Sequence, residues 1–289
     1  MRTNRPELII EQNLSVAWAR AFLAMLDNSI SDSLTLRIKG IEGKLPDEDP
    51  EIREQLDALL RELKIPTVAQ TALAIVPYKQ WLRLDKPPIQ KLTDYYLKQL
   101  LPRLKALSTK NRHGTYFERL VCYSGVRRKN GEQEIRTVNQ IAYVISIWKK
   151  RAEKGGRPRQ SALQLACFDP AKDHTGSALA GFPCLQQISL TYAEEGTLEI
   201  NGYYPTQYIF DRAYGNYLGL CQLGLVIAHE IGARFTGLTC FTARPELGFG
   251  TKAGHAKLAD FLRQRLKAIT PDHQSVEAEL VPCLKPDSS

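Results

Sequence analysis

Two residues have the type and setting to do chemistry, Cys184 and Asn216. Cys184 follows Gly181 and Pro183 where a loop meets an alternating stretch. A thiolate there could add to an electron-poor carbon, provided nearby cations lowered its pKa. Packed into an apolar interior, the same thiol would be a small inert hydrophobe. Asn216 follows Gly215 at the entrance of an apolar helical run. Its carboxamide offers a donor and an acceptor to a ligand edge, or it caps the helix, a position Asn favours.

The stretch from Gly181 to Leu220 must position both. Gln187, Ser189 and Thr191 alternate with Ile188, Leu190 and Tyr192, which predicts a strand. Glu194-Glu195-Gly196 supplies a turn, and Thr197 to Tyr204 begins a second strand. After Pro205 the period becomes helical, with Leu218, Leu220, Leu223, Leu225, Val226 and Ile227 in a helix ending near Gly232. One thiol therefore stands at the mouth of a hairpin whose exit leads into a buried helix.

Elsewhere, helical spacing predicts helices over Leu14–Leu26 and from Pro50 to Leu63, and a third, interrupted at Pro102, over Ile89–Leu107. Asn139–Arg151 and Lys252–Ile269 read as helices too. Leu34–Lys39, Ala162–Phe168 and Phe235–Thr242 read as strands. Gly114–Leu120 reads as an ordered loop, Arg127–Glu134 as an exposed loop around Asn130-Gly131, and Asp169–Ala180 as a polar loop. Helices and strands intermix without repeat or linker. The expectation is α+β: one domain over 1–289 with a mixed or mostly antiparallel sheet covered by helices, and an extended tail from about 270 to 289 packing as an arm.

At 289 residues, with 43% hydrophobic and 24% charged residues, the chain can bury one large core or two small ones. It has no apolar run of about 18 residues to cross a membrane, and its first residues lack the apolar stretch of a secretory signal. Six cysteines are scattered singly, Cys122, Cys167, Cys221 and Cys240 within apolar runs. That favours a reducing cytoplasm over a disulfide framework. The five histidines are isolated, so no metal site is expected. The net charge of +8 gathers in Arg127-Arg128-Lys129, Lys149-Lys150-Arg151 and the Lys154–Arg159 segment. Such loops attract phosphates of nucleotides or nucleic acid, or form a solvated face. Aromatic residues are not interleaved with them, which argues against a single-strand groove.

Pro183-Cys184, a hairpin, Tyr203, then Gly215-Asn216 opening an apolar helix is an order that resembles the thymidylate synthase family. The resemblance implies that Cys184 attacks a pyrimidine ring at C6, that Asn216 reads the base edge, leaning to a uracil-type edge, and that the sheet packs against its twin in a homodimer. It also implies a folate donor, 5,10-methylenetetrahydrofolate, beside Tyr116 and Arg119, because Gly114–Arg119 resembles the family's Gly-x-x-Tyr-Gly stretch. Substrate binding then falls to Tyr203, Thr206, Gln207, Arg212 and Gly215, with Arg157 and Arg159 reaching across the dimer to phosphate. Arg212 could equally be a surface residue at the hairpin's exit. Glu54 and Asp57 are the carboxylates in place for a general base, or part of a solvated helix face.

The sequence departs from the family at several points. Pro205 stands where the family has the phosphate-binding Arg, and Leu185 follows the thiol where the family has His. Thr242–Phe249 carries neither His nor Tyr of the sugar-holding segment, and Ser189 and Tyr208 replace its Gln and folate-contacting Asp. The expected activity is transfer of a methyl or hydroxymethyl group to a pyrimidine nucleotide or nucleoside other than plain dUMP. Two other readings stand beside it: a protein of this fold that binds or senses nucleotides without turnover, and a nucleic-acid binder using the basic loops.

Overall fold

The computed structural model describes residues 6–27, 32–108, 111, 114–129, 132–174, 176, 183–194 and 196–269, without the side chains of 126–129 and 132–134. Gly181, Glu195, Asn130-Gly131, residues 175 and 177–180 of the expected polar loop, and the tail expected over 270–289 lie outside the described residues.

Capping begins the first half of the chain. After β1 (Glu7–Glu11), the Asn13 carboxamide accepts the Ser15 and Val16 N–H groups, at 2.9 and 3.1 Å, and opens α1 (Leu14–Leu26). β2 (Leu34–Ile38) follows, then α2 (Pro50–Glu62), capped by Asp49 with Pro50 in its first turn. The proline-punctuated region forms the short helices α3 (Val68–Leu73) and α4 (Tyr78–Arg83). Then come α5 (Ile89–Tyr95), a π-turn over Tyr96–Leu100, and α6 (Leu101–Leu107). The expected break at Pro102 is this π-turn, which ends two residues earlier at Leu100, since Pro102 has no N–H to return to the preceding turn.

Two expected loops are ordered elements. Gly114–Leu120 contains α7 (Tyr116–Val121), opened by a capping box between Thr115 and Glu118. The Arg127–Glu134 loop is a ribbon of β3 (Tyr123–Lys129) and β4 (Glu132–Val138), paired from Tyr123 opposite Val138 to Lys129 opposite Glu132. Asn-Gly between two runs was the hairpin signal; charge at the tip concealed the alternation. α8 (Gln140–Ala152), β5 (Gln164–Ala166) and α9 (Pro170–Asp173) lead to the hairpin of β6 (Gln187–Thr191) and β7 (Thr197–Tyr208). β7 continues through Pro205, where helix was expected. β6 ends opposite Tyr203, so beyond it β7 has β8 alone as neighbour, and an N–H can be spared there. A second π-turn, Ile209–Ala213, joins α10 (Tyr214–Ile231), followed by β8 (Arg234–Glu246) and α11 (Lys252–Ile269).

The strands form one six-stranded mixed sheet ordered β1-β2-β8-β7-β6-β5. β1 runs parallel to β2 and β7 to β8, while the other neighbours are antiparallel. The expected α+β architecture, a mixed sheet covered by helices, is what the chain adopts. α1 and α10 cover one face, burying Leu36, Leu238, Ile200 and Ile188 beneath them. The opposite face is open. Leu8, Thr35, Phe241, Tyr203 and Gln187 lie in register across it, and the rings of Phe241 and Tyr203 stack at 6.0 Å.

Candidate functional site

Cys184 lies just before β6 and is half-buried. Its neighbour Leu185 is sealed into the core, so the chain enters β6 with the thiol at the boundary of the interior. The Tyr116 hydroxyl accepts the Leu185 N–H at 3.2 Å and hydrogen-bonds the Cys184 thiol. α7 brings it there, and its cap is tied in turn to the buried Tyr96 hydroxyl through Thr115.

The charged groups that act on the thiol come from the π-turn before α10. A π-turn inserts a residue into the helical ladder and re-aims the side chains around it. Here it sets Asp211 and Arg212 side by side as an ion pair, Arg212 Nε 3.2 Å from Asp211 Oδ2. Asp211 is buried and its Oδ1 accepts the Phe249 N–H at 3.1 Å. Gly248, at φ +93°, lets this loop close over the carboxylate, since a Cβ there would lie 2.1 Å from Asp211 Oδ1. Burial pushes the Cys184 thiol pKa up, the Arg212 guanidinium and the Tyr116 hydrogen bond pull it down, and Asp211 pushes it up again. The net position is above that of an ordinary thiol. Cys167, wholly buried, is pushed up to about 12 and is inert by comparison.

Asn216 is not a cap. It sits inside the first turn of α10, one turn beyond Arg212, only 4% exposed, and its carboxamide has no partner among the described residues. Gln207, next to last in β7, is buried as well. Its Oε1 accepts from the Tyr217 hydroxyl at 3.0 Å and the Thr242 hydroxyl at 2.7 Å, which leaves Nε2 without a partner. The buried Tyr204 hydroxyl is likewise unpartnered. Buried polar groups are nearly always satisfied by protein, water or ligand. Two such atoms, Gln207 Nε2 and the Tyr204 hydroxyl, therefore lie in the second half of β7, before α10 begins.

Other expected residues stand elsewhere. Tyr203 points to the open sheet face, against Phe241. Thr206 is half-buried opposite Arg244 on β8. Gly215 packs against α3, where a Cβ would meet Thr71 at 2.5 Å and the Val68 carbonyl oxygen at 2.8 Å; it leaves no room for a ligand. Arg157 lies over the Tyr192 ring at 5.1 Å, and Arg159 is exposed beside it. Both sit past the far end of β6, on the order of 20 Å from Cys184 at about 3.3 Å per strand residue. Glu54 is exposed, and Asp57 is engaged by Arg53 Nε at 3.0 Å and the Val68 N–H at 2.8 Å.

Tyr116 and Arg119 do not fit a folate. The Tyr116 hydroxyl already serves Cys184 and Leu185, and Arg119 forms a fork on Asp173 at 2.6 and 2.8 Å while donating to the Cys167 carbonyl oxygen at 2.9 Å. Among the described residues no group of three or more His, Cys, Asp or Glu side chains could hold a metal ion. Asp211 was missed by sequence reasoning. The only signal was a carboxylate next to Arg212, since its partner loop lies far along the chain.

No protein-family model matches this chain, and no curated protein matches it. Among solved structures it is similar to thermostable thymidylate synthase A from Bacillus subtilis, at 12% identity over 81% of this chain and 79% of that one, with a TM-score of 0.46. That likeness concerns the course of the chain and says nothing of its chemistry. No helix among the described residues is long and apolar enough to cross a membrane.

Proposed function

We propose that this chain, as one domain over 1–289, is a thymidylate synthase-like transferase that adds a one-carbon group to C5 of a pyrimidine nucleotide or nucleoside other than plain dUMP. Cys184 is the nucleophile. As the S–C6 bond forms, the electron pair of the C5–C6 double bond moves towards O4, and C5 becomes nucleophilic. Charge developing at O4 calls for a fixed donor; in this reading the Asn216 carboxamide supplies it and Arg212 meets an anionic group of the substrate. After C5 has bonded to its new carbon, C5 loses its proton and the thiolate leaves, restoring the ring. The folate donor rests on the sequence resemblance alone. The observation that carries the reading is the half-buried Cys184 thiol hydrogen-bonded to the Tyr116 hydroxyl, with the Arg212 guanidinium pulling its pKa down, four residues before the buried Asn216.

A fluorine at C5 blocks loss of the C5 substituent, so an adduct formed at C6 persists. Intact-protein mass spectrometry with 5-fluoro-dUMP, 5-fluoro-UMP and methylenetetrahydrofolate, followed by peptide mapping, is expected to find a mass increase on Cys184. Unmodified protein with every ligand would move the weight to the second reading, a nucleotide-binding protein of the same fold. Burial, which holds the Cys184 pKa above the ordinary thiol value despite the nearby Arg212 guanidinium, favours that alternative.

The resemblance also implies a homodimer in a reducing cytoplasm. The open sheet face supports the dimer, with Leu8 60%, Phe241 39% and Tyr203 38% exposed in one row. Apolar surface of this kind is what a second copy would cover. Phe241→Asp is expected to shift the protein from dimer to monomer in sedimentation velocity, and a wild-type monomer at micromolar concentration would refute the assignment. Arg157 and Arg159 would then reach phosphate only from the partner subunit.

A further inference from the structure

We propose that the cavity between α4, the C-terminal half of α10 and the loop after β2 is a second ligand site. It takes a planar aromatic molecule carrying one negative charge, an aryl carboxylate. The cavity holds about 400 Å³, within the range of small-molecule pockets. Leu225 and His229 of its lining follow Asn216 along α10, on the order of 14–20 Å away at about 1.5 Å per residue. It is therefore separate from the candidate site, and the inference does not rest on the proposed transferase activity. The cavity lies on the side of the sheet that α10 covers, so a second copy on the open face would leave it reachable.

Its walls are rings and aliphatic groups. The Tyr78 and Trp81 rings stand 5.5 Å apart on α4. Phe235 packs on α10 at Gly224, where a Cβ would collide with the ring. Leu45 and Leu225 add aliphatic surface. The Trp81 indole N–H is already given to the Pro87 carbonyl oxygen at 3.2 Å, so Trp81 offers a ligand only its ring. Apolar walls of this kind favour an aromatic guest, which gains from ring–ring contact beyond the area it buries.

The polar groups set the charge of that guest. No Asp or Glu lines the cavity. Lys86 holds its Nζ 5.9 Å from the Trp81 ring centroid, and no carboxylate among the described residues pairs with it. The turn after α4 places it there. The Lys86 N–H returns to the Trp81 carbonyl oxygen at 2.8 Å, with Asp85 and Lys86 both left-handed, at φ +57° and +49°. Non-glycine residues seldom adopt this conformation, and here two in succession bring the ammonium over the ring. The Tyr78 hydroxyl has no hydrogen-bond partner among the described residues, and burial alone pushes its pKa up. Lys44, paired with Asp47 at 3.0 Å, and the exposed His229 complete the polar lining. A carboxylate beside the rings would meet Lys86 and the Tyr78 hydroxyl, whereas a neutral ring would leave the ammonium without a counter-charge.

The test is isothermal titration calorimetry of the full chain with 2-naphthoate and its neutral counterpart 2-naphthamide. The naphthoate is expected to bind at one site per chain, about tenfold more tightly than the amide. Lys86→Gln is expected to weaken the naphthoate roughly three- to fivefold and to leave the amide unchanged. Ala233→Phe, at a half-buried lining residue, fills the cavity and is expected to abolish binding of both. No heat of binding from wild type with naphthoate up to about 1 mM overturns the inference. Equal affinities for the two probes, an unchanged naphthoate affinity in Lys86→Gln, or retained binding in a folded Ala233→Phe overturns it as well. Thermal melts check that each variant folds. Should Ala233→Phe not fold, Lys86→Gln locates the site by itself, because Lys86 is exposed and lies outside the helices. Neither probe is a pyrimidine and Cys184 takes no part, so failure here is distinct from failure of the proposed transferase activity.

Discussion

Replacing Cys184 by serine is expected to abolish the 5-fluoropyrimidine adduct and to lower release of tritium from C5-labelled pyrimidine nucleotide by about 10³-fold or more. A serine hydroxyl ionises so far above neutral pH that neither the Arg212 guanidinium nor the Tyr116 hydroxyl could bring it into range. Addition to C6 is also the step that makes C5 nucleophilic, so no partial activity should bypass it. The substitution is nearly isosteric, and Cys184 is half-buried rather than packed in the core. Its melting temperature should therefore stay within a few degrees of wild type. Retained tritium release in a folded Cys184→Ser protein would remove Cys184 from the mechanism.

Asp173→Ala should give the largest loss of stability among the substitutions considered. Arg119 and Asp173 form a two-bond fork with side chains only 14% and 7% exposed, and Asp173 Oδ2 also accepts the Asp169 N–H at 2.8 Å. Removing the carboxylate takes the two-bond fork from a mostly buried guanidinium, leaving it the Cys167 carbonyl oxygen and the more distant Asp169, a loss of about 3 kcal/mol. For a protein of this size that corresponds to a fall in melting temperature on the order of 10 °C. Replacing both partners with apolar residues should recover much of the loss, because no lone charge then remains. The effect depends on pH. Burial raises the Asp173 pKa, but the Arg119 fork, the Asp169 N–H and Lys172 outweigh it and hold it below the ordinary carboxylate value. A group depressed on folding stabilises above its unfolded pKa and loses that contribution as pH falls through its folded value. The gap between wild type and variant should thus be full near pH 7 and shrink below about pH 4. Calorimetry across that range would show it, and a gap independent of pH would refute the ion-pair account.

Much of the secondary structure was legible because it is encoded locally. Asn13 and Asn139 cap the helices their sequence announces, and Leu14–Leu26 and Lys252–Ile269 begin and end where their apolar spacing does. Elements set by distant partners were not legible. β7 reads as ending at Pro205, yet pairing with β8 carries it to Tyr208. α7 reads as loop because only a short capped turn marks it.

The site divides in the same way. By itself the sequence determined the thiol at a strand entrance, the Asn beyond Gly215 and the cation between them, since each follows from residue type and local pattern. Tertiary structure alone decided what those residues meet. It set Tyr116 against the thiol, bound Asp211 to a loop 38 positions away at Phe249, turned Tyr203 to the open face, and tied Arg119 to Asp173. Hydrogen bonds and burial between remote segments carry no local period. They arise only when the sheet and helices pack, and they determine whether a polar side chain stands free for a ligand or is bound within the protein.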